Sequence, residues 1–264
     1  SQVTSSIATS MLRRGRAAGE TLADLVWPPV CRLCNDPVSS HRDFCRGCET
    51  ELSQSRSRMA NACRLCGRPR GPQSGGAQRL PCAQCLPGEF DFEGVVPLWA
   101  YQGRVRDAVV VAKYPHQAAL ADALGRRLGR RVAEVAVAAG PDVVTFVPSH
   151  LTRQFARGGN AAEAIARAVA WQIGCPCRPL LRMTRRVAKQ AWLDEAQRRS
   201  NVRGAFSLKK SYAFLGPSQT AGRHVLVVDD VLTTGATANE ITRILRSGGA
   251  QRVTLAVVAR ALLT

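Results

Sequence analysis

The sequence has no apolar run that approaches the roughly 20 consecutive residues needed to span a bilayer. Its N-terminus also lacks the apolar core of a secretory signal peptide, because residues 10–20 are rich in arginine and alanine. From these two absences we expect no membrane insertion and a cytoplasmic location. Residues 1–26 are interpreted as an N-terminal extension to which no role is assigned.

Acidic residues are also scarce. The chain has 19 aspartates and glutamates against 37 lysines and arginines, a formal net charge of +18. Such an excess predicts a positive surface that attracts phosphates, nucleic acid or acidic partners. The alternative is an arginine-rich genome together with ordinary solubility. Since 45% of the 264 residues are hydrophobic, the chain can bury a sizeable core in one large or two smaller domains.

The composition changes near residues 87–92. After that point, short Val-rich runs alternate with helical segments, a pattern typical of a parallel sheet covered on both faces. The predicted strands are 143–147, 225–228 and 253–258, and the predicted helices are 117–139, 160–173 and 236–247. We therefore expect a doubly wound α/β domain over residues 91–264, preceded by a separate cysteine-rich module over residues 27–90.

The most informative segment is residues 225–237. The run 225–228 predicts a buried strand, and Asp229 and Asp230 follow at its carboxyl end, where open α/β sheets bind ligands. A small-residue turn then opens a helix. Hydroxyl and backbone N–H groups there can surround a phosphate at the positive end of that helix. The turn consists of Thr233, Thr234, Gly235, Ala236 and Thr237.

The two carboxylates lie about one sugar length from this turn. They can accept hydrogen bonds from two vicinal hydroxyls and contact a Mg²⁺ carried by a pyrophosphate. The Gly-Lys-Ser/Thr element of a P-loop is absent, and so is the dinucleotide-binding fingerprint. We therefore expect a pocket for a ribose 5-phosphate. The ordinary alternative is a strand, turn and helix whose threonines and aspartates serve only as caps.

Residues 225–237 resemble the signature of the phosphoribosyltransferases, and the wider pattern resembles the ComF family of competence-associated proteins. That wider pattern comprises the N-terminal cysteine module, Lys113, Val147-Pro148, residues 157–160 and residues 190–206. The resemblance implies a type I phosphoribosyltransferase-like fold that binds 5-phosphoribosyl-1-pyrophosphate with Mg²⁺. It also implies a loop facing the pyrophosphate at residues 148–160 and a flap at residues 182–201. The further ligand-binding candidates are Lys113, Arg153, Arg157, Asn160, Gln190 and Arg198.

Ten cysteines in a chain without an export signal indicate metal binding, because cytosolic thiols are kept reduced. Eight of them form four Cys-x-x-Cys pairs with zinc-ribbon spacing. They are Cys31, Cys34, Cys45 and Cys48, then Cys63, Cys66, Cys82 and Cys85. We predict two structural Zn²⁺ ions, since four thiolates leave no open position for catalysis. The pairs can close in sequence or interleave, and redox dithiols, disulfides and iron–sulfur ligation are the alternatives.

Two functional hypotheses follow. The first is a Mg²⁺-dependent transferase that displaces pyrophosphate at the ribose C1 with an unidentified acceptor. The second is a non-catalytic nucleic-acid-binding protein that uses the pocket as a sensor or DNA-end site. Synthesis of the sugar diphosphate itself would need an ATP site, which we do not find. The resemblance implies single-stranded DNA and other DNA-uptake proteins as partners. Because Phe44 is the only Phe, Tyr or Trp between Cys31 and Cys85, any DNA binding by the cysteine module should be electrostatic and salt-sensitive.

Overall fold

A computed structural model describes residues 28–70, 82–83, 85, 88–135, 140–148, 160–185, 202–209 and 219–262. The chain divides into two compact units between Thr50 and Glu51. Among the described residues, no helix is long and apolar enough to cross a membrane. The second cysteine quartet belongs to the same unit as the α/β sheet, whereas the first quartet belongs to the N-terminal unit.

Six strands lie in the described part of the chain: β1 Gly94–Ala100, β2 Val143–Phe146, β3 Leu181–Met183, β4 Phe206–Leu208, β5 His224–Leu232 and β6 Arg252–Arg260. Four of them form a sheet in the spatial order β1-β6-β5-β2, and every pairing in it is parallel. The remaining two, β3 and β4, pair antiparallel. Parallel pairing confirms the prediction from the Val-rich runs, which bury both faces of each strand.

Strand β5 is longer than the sequence predicts. The apolar run indicates an end at Val228, but the strand continues to Leu232. The reason is that its neighbour β6 also continues, as far as Arg260, and the ladder pairs Asp229 with Val257. The two carboxylates therefore belong to the last residues of the strand and precede the turn.

The described helices are α1 Arg46–Arg58, α2 Gly103–Val111, α3 Ala118–Val135, α4 Ala161–Ile173 and α5 Ala236–Ser247, with a 3-10 turn at Pro115–Gln117. Helices α3, α4 and α5 confirm the three predicted helices, although predicted residues 136–139 of α3 lie outside the described residues. Helix α1 is not predicted, because it buries few apolar side chains, among them Leu52.

The sheet is covered on both faces, which confirms the predicted doubly wound fold. Helices α3 and α4 contact one face, while α5 and the β3–β4 hairpin contribute to the core on the other. Side chains alternate between the faces along each strand. Val225 and Val227 of β5 join the core cluster that contains Ile241 and Leu245 of α5.

Helices α3 and α4 approach each other closely through two glycines of α3. A Cβ on Gly125 would lie 2.6 Å from the Cβ of Ala168, and one on Gly129 would lie 2.6 Å from the Cβ of Gln172. Since a side chain at either glycine would overlap the facing helix, the spacing between the helices depends on both residues.

Candidate functional site: acid pair, phosphate loop and second cysteine quartet

The carboxyl ends of the four parallel strands meet at one edge of the sheet, and the acid pair lies there on β5. The backbone N–H of Asp230 donates to Oδ1 of Asp229 at 2.9 Å, and the N–H of Val231 donates to Oδ1 of Asp230 at 2.8 Å. Both carboxylates are half-buried. In each carboxylate, one oxygen accepts from the N–H of the next residue, which leaves the other oxygen to a different partner.

Lys113 completes this group of charges. Its Nζ lies 2.6 Å from Oδ2 of Asp230. Burial lowers the pKa of Lys113, but the charges of Asp230 and Asp229 outweigh it and raise the pKa above its ordinary value. The structure thus brings Lys113 to the acid pair, although Lys113 lies more than a hundred positions before the two aspartates along the chain.

The surroundings of Asp229 disfavour its ionised form. Burial raises the pKa of its carboxyl well above the ordinary value, and the adjacent Asp230 raises it further, while Lys113 acts in the opposite direction. A raised pKa means that the negative charge is poorly compensated. Two carboxylates facing one ammonium group form a site that favours an additional cation or several hydroxyl donors.

The segment from the last residue of β5 to the first turn of α5, residues 232–237, is called the phosphate loop below. Gly235 lies at its centre with φ of +88°, in the left-handed region, and forms the N-cap of α5. The hydroxyl oxygen of Thr234 accepts from the N–H of Ala236 at 3.5 Å. The threonines of the loop are only partly buried. A helix N-terminus with partly accessible threonines on the preceding turn is a suitable site for a phosphate.

The segment before β1 is fastened to the phosphate loop and to α5. The ring of Phe90 covers Gly235, where an added Cβ would lie 2.8 Å from Cε1 of Phe90. The Asn239 side chain donates to the carbonyl of Glu89 at 2.7 Å and accepts from the N–H of Asp91 at 3.0 Å. These contacts hold the chain that follows the cysteines directly against the loop.

The β3–β4 hairpin forms the base of the predicted flap. Oε1 of the buried Glu240, on α5, accepts from the N–H of Gly204 at 2.7 Å, and the hydroxyl of Thr184 donates to the carbonyl of Gly204 at 2.8 Å. Helix α5 therefore anchors the hairpin on the same side of the sheet as the phosphate loop. The rest of the flap, with the predicted Gln190 and Arg198, lies outside the described residues.

Asn160 has a structural role at the start of α4. Its side chain accepts from the N–H of Ala162 at 3.2 Å and donates to the carbonyl of Val147 at 3.4 Å. It joins the end of β2 to the beginning of the helix, as an N-cap residue does. Its assignment to the pyrophosphate loop stays a prediction. Arg153 and Arg157, predicted for the same loop, lie outside the described residues.

The eight paired cysteines form two quartets in sequence order, Cys31, Cys34, Cys45 and Cys48, then Cys63, Cys66, Cys82 and Cys85. Within each quartet the sulfurs lie within 4.8 Å of one another. This arrangement answers the question that the sequence leaves open, because the pairs close sequentially and do not interleave.

The spacing of the sulfurs fits zinc. In a tetrahedral site with zinc–sulfur bonds of about 2.3 Å, neighbouring sulfurs lie about 3.8 Å apart. The Sγ atoms of Cys63 and Cys85 are 3.8 Å apart, and those of Cys34 and Cys45 are 3.5 Å apart. A disulfide would bring two sulfurs to about 2.05 Å. The donor set and its dimensions therefore suit a structural Zn²⁺ in each quartet.

The electrostatics of the second quartet also favour a cation. Burial raises the pKa of the Cys63 thiol, but backbone N–H groups and the Arg70 guanidinium, 3.5 Å from its sulfur, lower it to about 6. For Cys66, burial dominates and raises the pKa to about 11. The surroundings of Cys63 thus favour the thiolate form that a metal ligand requires, whereas burial disfavours the thiolate form of Cys66 unless a cation compensates its charge.

Arg260, at the end of β6, is a charged residue that the sequence analysis did not select. Its side chain is fully buried. Its Nε donates to the carbonyl of Cys66 at 2.7 Å, and its Nη1 donates to the carbonyls of Leu232 at 2.9 Å, of Ala261 at 2.8 Å and of Thr233. Burial lowers the pKa of Arg260 to about 10, so the guanidinium stays charged at neutral pH. In the sequence, the only local sign of this role is an arginine at the end of an otherwise apolar run.

Two family models match the chain. Residues 22–86 match the double zinc ribbon domain, and residues 159–262 match the phosphoribosyl transferase domain. The first match covers both cysteine quartets, and the second covers the acid pair, the phosphate loop and Arg260.

Curated relatives are similar along most of the chain. The DNA utilization protein YhgH of Salmonella typhi is 30% identical over 243 residues, which cover 90% of this chain and 100% of that protein. Competence protein F of Haemophilus influenzae is 27% identical over 187 residues, 68% of this chain and 78% of that one. Among solved structures, glutamine phosphoribosylpyrophosphate amidotransferase from B. subtilis is 26% identical with a TM-score of 0.34, covering 52% of this chain and 26% of that one.

Proposed function

This chain belongs to the ComF family, and from that premise we propose that it is a cytoplasmic, Mg²⁺-dependent phosphoribosyltransferase-like protein of DNA uptake. Its ligand is 5-phosphoribosyl-1-pyrophosphate, and its reaction is displacement of pyrophosphate at the ribose C1 by an acceptor. Two relatives are named for DNA utilization and competence, which supports the link to DNA uptake.

The observation that carries the proposal is the charge group at the carboxyl edge of the sheet. Asp229 and Asp230 stand directly before the phosphate loop, and Lys113 pairs with Asp230 from a different element. A ribose 5-phosphate spans such a pair of sites, because its phosphate fits the helix N-terminus while its two ring hydroxyls reach the carboxylates. Ordinary helix capping would require neither a second carboxylate nor Lys113.

In the proposed reaction each group has its own task. The phosphate loop anchors the 5-phosphate, and the carboxylates accept hydrogen bonds from the ribose hydroxyls, which fixes C1 for attack. The bond between C1 and the pyrophosphate oxygen breaks, the acceptor forms the new bond to C1, and pyrophosphate departs. Mg²⁺, bound with the substrate, would neutralise charge on the leaving pyrophosphate. Lys113 limits the repulsion between the acid pair and this anionic ligand.

Calorimetric titration with 5-phosphoribosyl-1-pyrophosphate and Mg²⁺ tests the binding step. We expect binding by the unmodified chain and at least about tenfold weaker binding by Asp230→Asn, because a charge-assisted hydrogen bond is lost. The matched control is Asp122→Asn, which removes a carboxylate of α3 that pairs with Arg126. Equal weakening in both variants, or no binding by the unmodified chain, would contradict the proposal.

Release of pyrophosphate tests turnover. The same titrated samples are assayed with candidate bases, amines and single-stranded DNA as acceptors. Acceptor-dependent release identifies a transferase and its substrate class. Tight binding without release from any acceptor would favour the second hypothesis, a ribose phosphate sensor or DNA-end site in the same pathway.

DNA binding is the remaining part of the proposal, and its expected site is the basic cysteine-rich module. Few aromatic residues accompany its arginines, so the contacts should be to backbone phosphates. We expect single-stranded DNA to bind at low salt and to be released steeply as salt rises. Binding that is insensitive to salt would contradict this electrostatic mechanism.

A further inference from the structure

A single buried side chain joins the second cysteine quartet to the phosphate loop. The guanidinium of Arg260 donates from Nε to the carbonyl of Cys66 and from Nη1 to the carbonyls of Leu232 and Thr233. Cys66 is a predicted zinc ligand, and Thr233 is the first threonine of the phosphate loop. One rigid, planar guanidinium thus contacts the cysteine quartet through Nε and the phosphate loop through Nη1.

These bonds constrain the orientation of the loop. In a planar trans peptide the carbonyl and the following N–H point in opposite directions. Because the carbonyls of Leu232 and Thr233 face Arg260, the N–H groups of Thr233 and Thr234 face away from it. The carbonyl of Leu232 also accepts from the N–H of Ala261 at 2.9 Å. The guanidinium and this N–H group together set the direction in which the first amides of the loop point.

The peptide turn around Cys66 is itself held rigidly. The carbonyl of Arg64 accepts from the N–H of Val95 at 2.7 Å and so covers the edge strand β1. A Cβ on Gly94 would lie 2.9 Å from that carbonyl oxygen. Gly67, with φ of +71°, packs against Arg260, where an added Cβ would lie 3.4 Å from Cδ. This close fit leaves the turn little freedom to move without displacing Arg260.

A second connection runs through the chain that follows Cys85. Phe90 covers Gly235, and Asn239 binds the backbone at Glu89 and Asp91. Only a few residues separate Cys85 from Phe90. Loss of the metal from the second quartet would therefore release the loop from two directions, at the carbonyls of its first residues and at the ring over its glycine.

We propose that Arg260 is a positioning residue through which the second zinc site sets the conformation of the phosphate loop, so that ribose 5-phosphate binding requires zinc in that quartet. The ligand in this inference rests on the proposed function. The first quartet, which belongs to the other compact unit, has no part in it.

Hydrogen exchange by mass spectrometry, on peptides that cover the phosphate loop, tests the coupling without any ligand. We expect exchange of the loop amides to accelerate by at least about tenfold in Arg260→Met and in Cys82→Ser, because buried carbonyls lose their donor or its support. Cys45→Ser, in the first quartet, should leave the loop unchanged. Arg260→Lys should restore little, because an ammonium lacks the planar fork that reaches both sides.

Leu128→Ala is the stability-matched control, because it removes a fully buried side chain of α3. If the loop exchanges as fast in Leu128→Ala as in Arg260→Met, Arg260 acts only on global stability and the proposal is wrong. The unmodified chain gives an independent measurement. Removing its zinc with a graded chelator should accelerate loop exchange in step with loss of the second metal, and loop exchange that follows the first metal would overturn the proposal.

Titration with ribose 5-phosphate gives the ligand-dependent measurement. We expect at least about tenfold weaker binding of ribose 5-phosphate in Arg260→Met and Cys82→Ser than in Leu128→Ala. Because coupling between two sites is reciprocal, ribose 5-phosphate should strengthen zinc binding in the second quartet by the same factor. Unchanged affinity in both variants would overturn the inference. If the unmodified chain binds neither ribose 5-phosphate nor 5-phosphoribosyl-1-pyrophosphate, the proposed function fails, and the exchange experiment still decides the coupling.

Discussion

Replacing Gly235 by alanine tests the geometry at the centre of the phosphate loop. The glycine has φ of +88°, and the ring of Phe90 lies directly over it. An added Cβ would lie 2.8 Å from Cε1 and 3.2 Å from Cδ1 of that ring. The substitution therefore introduces two separate penalties, one in the backbone and one from the contact.

The two penalties can be estimated separately. A left-handed backbone costs an L-residue about 1–2 kcal/mol, and overpacking of an extra methyl group costs about 1–3 kcal/mol. We expect Gly235→Ala to lower the free energy of unfolding by about 2–5 kcal/mol. At about 3 °C per kcal/mol for a chain of this size, the midpoint of thermal unfolding should fall by about 6–15 °C.

Gly174 provides the matched control. It also has a left-handed backbone, with φ of +67° at the C-cap of α4, but an added Cβ would meet no atom within 4 Å. Gly174→Ala should therefore cost only the backbone penalty of about 1–2 kcal/mol. Circular dichroism at saturating zinc gives both midpoints. In a Phe90→Ala background, Gly235→Ala should cost only the backbone penalty, because the ring that its Cβ would meet is gone. Equal losses at the two glycines would refute the packing of Phe90 on the loop.

Three further predictions concern other parts of the chain. Asp229→Asn should raise the thermal stability of the ligand-free protein at neutral pH. Because the folded state raises the pKa of Asp229, ionisation of this carboxyl costs the wild-type protein stability as the pH rises, and no such cost exists at low pH. The stability gained by Asp229→Asn should therefore vanish near pH ~4, where the unfolded aspartate is itself half protonated. A gain that persists there would contradict this account. Cys63→Ser should reduce the zinc content from two ions per chain to one, measured by elemental analysis, and an unchanged content would disprove its role as a ligand. Gly125→Ala should lower the free energy of urea unfolding by about 1–3 kcal/mol, because its Cβ would lie 2.6 Å from that of Ala168. Gly140→Ala is the control and should be nearly neutral, because its Cβ would meet no atom within 4 Å. Similar midpoints for the two variants would count against the close packing of α3 and α4.

Local sequence patterns were sufficient to predict those elements whose structure depends on residues that are close together in the sequence. The apolar run, the two aspartates and the small-residue turn at residues 225–237 predict the strand, the phosphate loop and α5 in the order observed. The Cys-x-x-Cys spacing likewise predicts two four-thiolate clusters, although spacing alone leaves their pairing open. The structure supplies the pairing because it alone shows which turns face each other.

Residues whose partners are distant in sequence could not be identified in this way. The roles of Asn239 and Glu240 depend on backbone groups of other segments, and Gly129 is explained only by the helix that faces it. The length of β5 was underestimated for the same reason, since its last residues are strand only because β6 lies beside them. Arg260 is the clearest case, because a lone arginine ending a strand is ordinarily taken for a solvent-exposed residue.

The bond from Arg260 to Cys66 spans 194 positions of the chain, and this separation has a consequence for the order of events during synthesis. The ribosome releases the cysteines of the second quartet long before it releases β6. Those cysteines can bind their metal early, but the carbonyl of Cys66 gains its donor only when β6 has entered the sheet. Closure of such a distant contact is slow compared with local folding. The nascent chain therefore acquires its finished phosphate loop only after β6 has been made, 194 positions after Cys66.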